Sequence, residues 1–230
     1  MKYKSLSIIV PVYNEEKTIM KILQKIFAAK IPLKKEIICV DDGSKDNTVN
    51  ILKKVKGIKL IVHKKNQGKG MALRTGIKKA TGQIILIQDA DLEYDPNDYA
   101  ALIRPIIQGK AEVVYGSRRL NSKNKQHAGL SFFIGGVGLT MLTNLLYNTR
   151  ITDEPTCYKV FRSDILKRIP LTCKRFEFCP EVTAKVAKKG VKIFEVPIKY
   201  YPRSKKQGKK IKWYDGFEAI WTLLKYRFVK

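Results

Sequence analysis

An α/β fold with a mostly parallel sheet and helices on both faces is predicted by three features of the sequence. Short β-rich apolar runs alternate with segments of helical period through the first half of the chain. The polar motifs fall at the carboxyl ends of those runs, where open α/β sheets bind their ligands. The chain has 230 residues, 44% of them hydrophobic, enough for one substantial core and too apolar for a disordered basic tail. A single domain over residues 1–230 is expected, with a first half, 1–120, and a helical and β extension over 121–230.

The elements follow in order. Residues 1–5 lead straight into the first apolar run, 6–12, which reads as a strand and not as a secretory leader. Asn14 is placed to cap the next helix, with Glu15 and Glu16 in a first turn that favours acidic residues, and Ile19, Ile22, Leu23, Ile26 and Phe27 recur at helical spacing. A second strand over 36–40 ends at Asp41-Asp42-Gly43-Ser44, and Asp46 caps a helix reaching about residue 55. Strand 59–62, helix 70–80 and strand 84–87 follow; Asp95-Pro96 opens another helix with proline at its favoured first position. A fifth strand, 111–115, runs into Gly116-Ser117-Arg118. Helical crossovers of this length imply parallel strands. Residues 128–149 carry no charge and are long enough to span a bilayer, yet four glycines, Asn144 and Asn148 favour helices lying on a membrane surface or against the core. A strand over 157–161, a helix over 180–189, a strand over 191–200 and a last helix over 213–228 complete the reading.

Charge and cysteine content narrow the setting. With 46 Lys and Arg against 20 Asp and Glu, the net charge of +26 calls for a negatively charged partner: nucleic acid, anionic lipid headgroups or phosphorylated substrates. Cys39, Cys157, Cys173 and Cys179 show no zinc spacing, and Cys39 lies inside a predicted buried strand, so reduced thiols are expected. His63 and His127 form no metal constellation.

Against so basic a background, Gln88-Asp89-Ala90-Asp91 stands out at the end of the apolar run 84–87. Side chains two apart on an extended chain point the same way, so Asp89 and Asp91 aim two carboxylates at one place beyond the sheet edge. That suits a hard divalent cation, Mg²⁺ or Mn²⁺, carrying phosphate oxygens.

Five motifs in this order, Pro11-Val12-Tyr13-Asn14-Glu15-Glu16, Val40-Asp41-Asp42-Gly43-Ser44, Asn66-Gln67-Gly68-Lys69-Gly70, Asp89-Ala90-Asp91 and Gly116-Ser117-Arg118, resemble those of the family 2 glycosyltransferases. That family has the GT-A fold, a Rossmann-like nucleotide-sugar fold. In the second half, 153–162, 178–185 and 195–203 are similar to the polyprenyl-phosphate hexosyltransferases, the group that includes dolichyl-phosphate mannose synthase. One departure lies at 119–127, where relatives carry a longer basic segment after Gly-Ser-Arg.

The resemblance implies transfer of a hexose, with inversion, from GDP-mannose or UDP-glucose to a dolichyl or undecaprenyl phosphate. By it, Pro11, Tyr13, Glu15, Val40 and Asp42 would hold the nucleoside with Asp41 close by, Asp89 and Asp91 would hold the metal, and Ala90 would belong to the nucleotide-sugar site; Glu93, one strand repeat beyond Asp91, would contact metal or sugar. Arg118, Arg203 and Lys209 would position phosphate. A lipid phosphate is already largely ionised at neutral pH, with a second pKa of about 6, and needs no dedicated base. Between Val196 and Tyr214 lie seven basic residues and no acidic one, and Lys205, Lys206, Lys210 and Lys212 suit an anionic membrane surface. Trp213, Tyr214, Trp221, Tyr226 and Phe228 among basic residues suit a membrane-interface helix or packing on the domain. The expected location is the cytoplasmic face of a membrane, peripheral or monotopic, with a membrane-protein partner for the product. A transferase acting on a saccharide or protein hydroxyl stays open, since Asp153, Glu154 and Glu181 could serve as base. A nucleic-acid-binding module has no motif here, and the aspartate focus would repel phosphate without metal.

Overall fold

The computed structural model describes residues 3–124, 130–203, 210–211 and 213–229. Seven strands form one sheet: β1 (Ser5–Val12), β2 (Lys34–Asp41), β3 (Ile58–Val62), β4 (Ile84–Ile87), β5 (Val113–Ser117), β6 (Lys159–Arg162) and β7 (Ile193–Pro197). Their order is β3-β2-β1-β4-β6-β5-β7. All pairings are parallel except those of β6, which runs antiparallel between β4 and β5. The alternation of apolar runs did not reveal this reversal, because strand direction is set by the connection, and that of β6 comes from a segment with no strand–helix rhythm. The mostly parallel sheet is as expected.

Both faces of the sheet are covered, which is why the strands read as continuous apolar runs. Helices α1 (Ile19–Ala28), α2 (Thr48–Lys53) and α4 (Tyr99–Ile107) pack on the side holding Ile8, Val10, Cys39 and Leu86. On the other side Ile9, Val40, Ile85 and Ile87 meet α3 (Lys69–Lys79), α6 (Ser163–Lys167) and α7 (Phe178–Lys188). Helices α5 (Leu130–Tyr147) and α8 (Trp213–Phe228) join α7 in a smaller cluster around Ala184, Leu223 and Tyr226.

One expectation needs correction. Asn14 does not cap α1: it is left-handed (φ 49°), and the helix begins at Ile19 after a turn. Its side chain accepts from the Lys45 amide while its own amide donates to Ser44 Oγ, so Asn14 ties the first loop to the second. Residues 130–147 form one helix, and among the described residues no helix is long and apolar enough to cross a membrane. Instead α5 buries Thr140 and Thr143, whose hydroxyls bond back to the carbonyls of Gly136 and Leu139, and exposes Ile134, Met141 and Leu145.

The contact of α3 with β1 has no slack. A Cβ at Gly76 would lie 2.4 Å from Ile9 Cγ2 and 3.4 Å from Val40 Cγ2. Gly76→Val should therefore destabilise the protein by about 1–3 kcal/mol through overpacking, read as a lower urea midpoint. An unchanged midpoint would mean that α3 can move away from the sheet freely.

Candidate active site

Loops at the carboxyl ends of β1, β2, β4 and β5 open into one cleft of about 1040 Å³, closed on its far side by α5, α7 and α8. Pro11, Tyr13, Glu15, Asp42, Asp89, Ala90, Asp91, Glu93, Arg118 and Arg203 all line it. Val40 and Asp41 do not. Val40 is core, packed toward α3. Both oxygens of the Asp41 carboxylate are engaged locally, accepting from the amides of Gly43 and Ser44 and from Ser44 Oγ, an Asx-type turn that shapes the loop. Lys209 lies outside the described residues, as do His127, Lys205, Lys206 and Lys212.

Asp42 reaches the cleft but has a structural task. Its oxygens accept from His63 Nδ1 (2.7 Å), from the Gln67 amide (3.0 and 3.1 Å) and from the Gly68 amide (2.7 Å). A carboxylate offers about four acceptor positions, and three donors from the β3–α3 loop already occupy most of those of Asp42, which therefore fastens that loop. His63 is held in turn by Thr75 Oγ1 at 3.0 Å, a structural role in keeping with its isolation in the sequence.

The loop between β3 and α3 is drawn tight for another reason. Gly68 has φ 99°, and a Cβ there would meet the Lys174 carbonyl oxygen at 2.2 Å. The first amides of α3, those of Gly70 and Met71, donate to the carbonyls of Arg175 and Lys174 (2.9 and 3.0 Å). This helix start is occupied by protein, and the glycines serve that approach and do not form a phosphate cradle.

Beyond the end of β4 the chain turns, and the two aspartates lie close enough to interact. Leu92 is left-handed (φ 66°), and Asp91 Oδ1 accepts the Glu93 amide at 3.1 Å, folding the segment back. Gln88 anchors the turn from beneath: its Oε1 accepts from Tyr99 and Tyr158 (2.8 and 2.6 Å), part of a buried cluster with Tyr94 and Tyr200. Asp89 pairs with Lys69 Nζ at 2.6 Å; burial raises its carboxyl, but Lys69, a hydrogen bond from Cys157 and the charge of Arg203 together hold it below the usual range. Burial, then the charges of Asp89 and Glu93, push Asp91 up to about 7 against the partial relief of Arg203.

Arg203 spans the cleft. Its guanidinium lies 3.0 Å from Asp91 and 3.3 Å from Glu15, and Lys210 pairs with Glu15 at 2.7 Å and bonds the Tyr13 carbonyl. Glu15 is thus a buried ion-pair partner and not a helix-dipole residue. Glu93 accepts the Arg203 amide and the Tyr200 hydroxyl, and Tyr94 bridges to Tyr200, so this carboxylate anchors the segment after β7 that carries Arg203. Arg118 is gripped by Asp153 through Nε and Nη2 (2.7 and 2.6 Å) and lies 5.0 Å from the Tyr200 ring.

The three carboxylates available as bases part company here. Asp153 is buried; burial raises its carboxyl, but Arg118 outweighs that and keeps it low. Glu181 lines a separate recess; burial raises it, but Lys185 and the amides of Thr172 and Cys173 pull it down to about 2. Only Glu154 faces the cleft, and burial lifts it to about 7. Sequence reasoning gave Lys69 no role, although a lysine opening a helix, against the dipole, was a usable signal. Among the described residues no group of three or more His, Cys, Asp or Glu converges as a metal site.

A cleft of this kind at the carboxyl edge of a mostly parallel sheet, with paired aspartates after β4, defines a GT-A glycosyltransferase. The chain belongs to glycosyl transferase family 2, whose model matches residues 7–170. It is similar over its whole length to the UDP-N-acetylglucosamine–dolichyl-phosphate N-acetylglucosaminyltransferase of Methanococcus voltae, at 34% identity and 99% coverage of that protein. It also resembles the dodecaprenyl-phosphate galacturonate synthase of Rhizobium johnstonii, at 26% identity over 86% of this chain and 59% of the other. Among solved structures, glucosyl-3-phosphoglycerate synthase of Mycobacterium tuberculosis in complex with Mn²⁺, UDP and phosphoglyceric acid superimposes with a TM-score of 0.72 at 18% identity, covering 99% of this chain and 80% of that one.

The Glu181 network yields a pH prediction. Its folded pKa of about 2 lies below the ordinary 4.5, so its stabilisation is present above about pH 4.5 and is lost as pH falls towards 2. Glu181→Gln should cost about 2–3 kcal/mol at pH 7, and the difference from wild type should close in acid. Parallel stability curves for the two proteins from pH 7 to 3 would refute this.

Proposed function

We propose that this glycosyltransferase moves one hexose from a UDP-linked donor to a polyprenyl phosphate, with Mg²⁺ or Mn²⁺, at an anionic membrane surface. The observation that carries the reading is the juxtaposition of Asp89 and Asp91 with Lys69, Arg118 and Arg203 in a cleft whose far wall is apolar. Support for the lipid acceptor and the uridine donor comes from the relatives' names, above all that of the full-length relative.

The residues fit a metal. Asp89 and Asp91 line the cleft side by side with Glu93 close by, and burial, then the charges of Asp89 and Glu93, disfavour an ionised Asp91 in a way that a bound cation would relieve. Asp89 and Asp91 would hold the ion, and donor diphosphate and water would supply its other oxygens. When bound, the metal neutralises charge on the departing nucleoside diphosphate. Tyr13 offers a ring face and Pro11 a flat apolar edge to the base. Arg203 and Lys210, now paired with Glu15 and Asp91, are placed to exchange those carboxylates for phosphate oxygens, where Arg binds in two-pronged fashion and Lys as a point charge. Arg118, held rigid by Asp153, presents a third cation. An ionised lipid phosphate positioned by these groups attacks the sugar C1 from the side opposite the leaving diphosphate, giving inversion without a side-chain base.

The membrane contact follows from what α5 and α8 leave uncovered. Leu145, Trp221 and Phe228 are 81%, 66% and 83% exposed, with Lys225 and Arg227 beside them. Apolar residues flanked by cations suit the interface of an anionic bilayer.

Two experiments test the proposal. Transfer of labelled sugar into extractable lipid is measured with polyprenyl phosphate, Mn²⁺ and UDP-N-acetylglucosamine, UDP-glucose or GDP-mannose. A UDP-sugar should give a lipid product, and Asp91→Asn should lower the rate at least a hundredfold with the melting temperature retained; full activity of the variant would remove the metal role. In the second, Leu145→Ser combined with Trp221→Ser should reduce co-sedimentation with phosphatidylglycerol vesicles several-fold while leaving phosphatidylcholine vesicles unbound. Equal binding by variant and wild type would place the membrane contact elsewhere.

A further inference from the structure

One carboxyl group in the cleft is left almost without hydrogen bonds. Glu154 lies in the loop between α5 and β6, fully buried, yet it lines the cleft. Its backbone is fixed at both ends: the amide donates to Thr140 Oγ1 (3.1 Å) and the carbonyl accepts from Lys159 Nζ (2.7 Å). The side chain is not. Oε1 has one contact, 3.3 Å from Thr183 Oγ1, and that hydroxyl already donates to the Cys179 carbonyl at 2.7 Å. A hydroxyl carries a single proton, so the carboxyl receives little of it. Oε2 has no partner among the described residues, and neither does the neighbouring buried Thr156 Oγ1. The nearby Lys159 ammonium sits 3.6 Å over the Tyr115 ring.

A buried carboxyl in this condition is costly and calls for an explanation. Its place along the cleft supplies one. Lys69 Nζ contacts both Asp89 (2.6 Å) and Cys157 Sγ (3.2 Å), which puts the loop of Glu154 directly beside the aspartate pair. Asp153, the adjacent carboxylate, is closed off by Arg118. Beyond Cys157 the wall continues through Phe178, Cys179 and Pro180 to Glu154, surfaces without a competing cation in ion-pair contact with it.

We propose that Glu154 recognises the donor sugar, accepting a hydrogen bond from a hydroxyl or amide N–H of a neutral hexose, and that it selects against hexuronates. The inference rests on the nucleotide-sugar reading above. An acceptor-rich carboxyl rewards O–H and N–H donors, whereas a second carboxylate brought into the same buried space meets like charge. A site built around a substrate hydrogen bond discriminates strongly against analogues that cannot make it.

Calorimetric binding to the full-length chain with Mn²⁺ separates this from the broader reading, because it needs no transfer. The probes are UDP, UDP-glucose, UDP-N-acetylglucosamine and UDP-glucuronate. Wild type should bind the better neutral UDP-sugar at least tenfold more tightly than UDP-glucuronate. Glu154→Gln should shrink that ratio to about twofold while the affinity for UDP stays within about twofold of wild type. Equal affinity of wild type for UDP-glucose and UDP-glucuronate overturns the proposal without any variant. So does a Glu154→Gln protein that melts at a different temperature but keeps the wild-type donor ratio, the signature of a carboxyl satisfied by buried water. If UDP itself does not bind, the uridine reading falls, and GDP against GDP-mannose carries the comparison: Glu154→Gln should then weaken GDP-mannose at least tenfold relative to GDP, and an unchanged ratio overturns the role.

Discussion

Negative charge concentrated at the carboxyl end of β4 is the constraint around which the rest of the cleft is arranged. Asp89, Asp91 and Glu93 fall within five residues, all at least partly buried, and Glu15 approaches from the first loop. Carboxylates this close and this dry cannot all remain ionised without compensation. Lys69 comes from the start of α3, Arg203 from the segment after β7, and Lys210 from just before α8. Each of those cations needs its own support, and the supports explain much of the remaining structure. The α3 start is capped by the carbonyls of 174 and 175, while Glu93 and the Tyr94–Tyr200 bridge hold the chain that delivers Arg203.

The same arrangement explains why so basic a chain keeps an acidic centre. Surface lysines raise the net charge to +26, but those at the cleft are paired one by one with carboxylates. A phosphate-bearing ligand is drawn by the global field and then meets cations that can change partner. Electrostatic attraction and local specificity are thus divided between different sets of residues.

Much of this was legible in the sequence, for identifiable reasons. Apolar runs with helical segments between them gave the layers, and strand ends gave the positions of Asp42, Asp89 and Arg118. The direction of β6 was hidden, because four residues of β-rich sequence say nothing about which way they run. The engagement of Asp41 within its own turn and of Asp42 with the loop after β3 was hidden too: a carboxylate that binds ligand and one that holds a loop are the same letter. Asn14 illustrates the converse. It has the side chain of a helix cap and used it to join two loops, since the chain needed a left-handed residue at that corner. Lys69 and Glu154 took their surroundings from residues far away in sequence, so spacing alone could not place them.

The position of β6 has a bearing on how the chain is made. Residues 1–117 contain five of the seven strands, yet β4 and β5 are not neighbours: β6, ending at Arg162, lies between them. A chain emerging from the ribosome can zip β1, β2, β3 and β4 together early, but β5 has no sheet edge to join until about forty-five more residues have been synthesised. Until then β5 and the open side of β4 are unpaired apolar edges, the kind of surface on which nascent chains associate wrongly. The inserted strand follows directly on the loop that carries Asp153 and Glu154, so a chain truncated before residue 153 lacks both that wall of the cleft and the strand that completes the sheet.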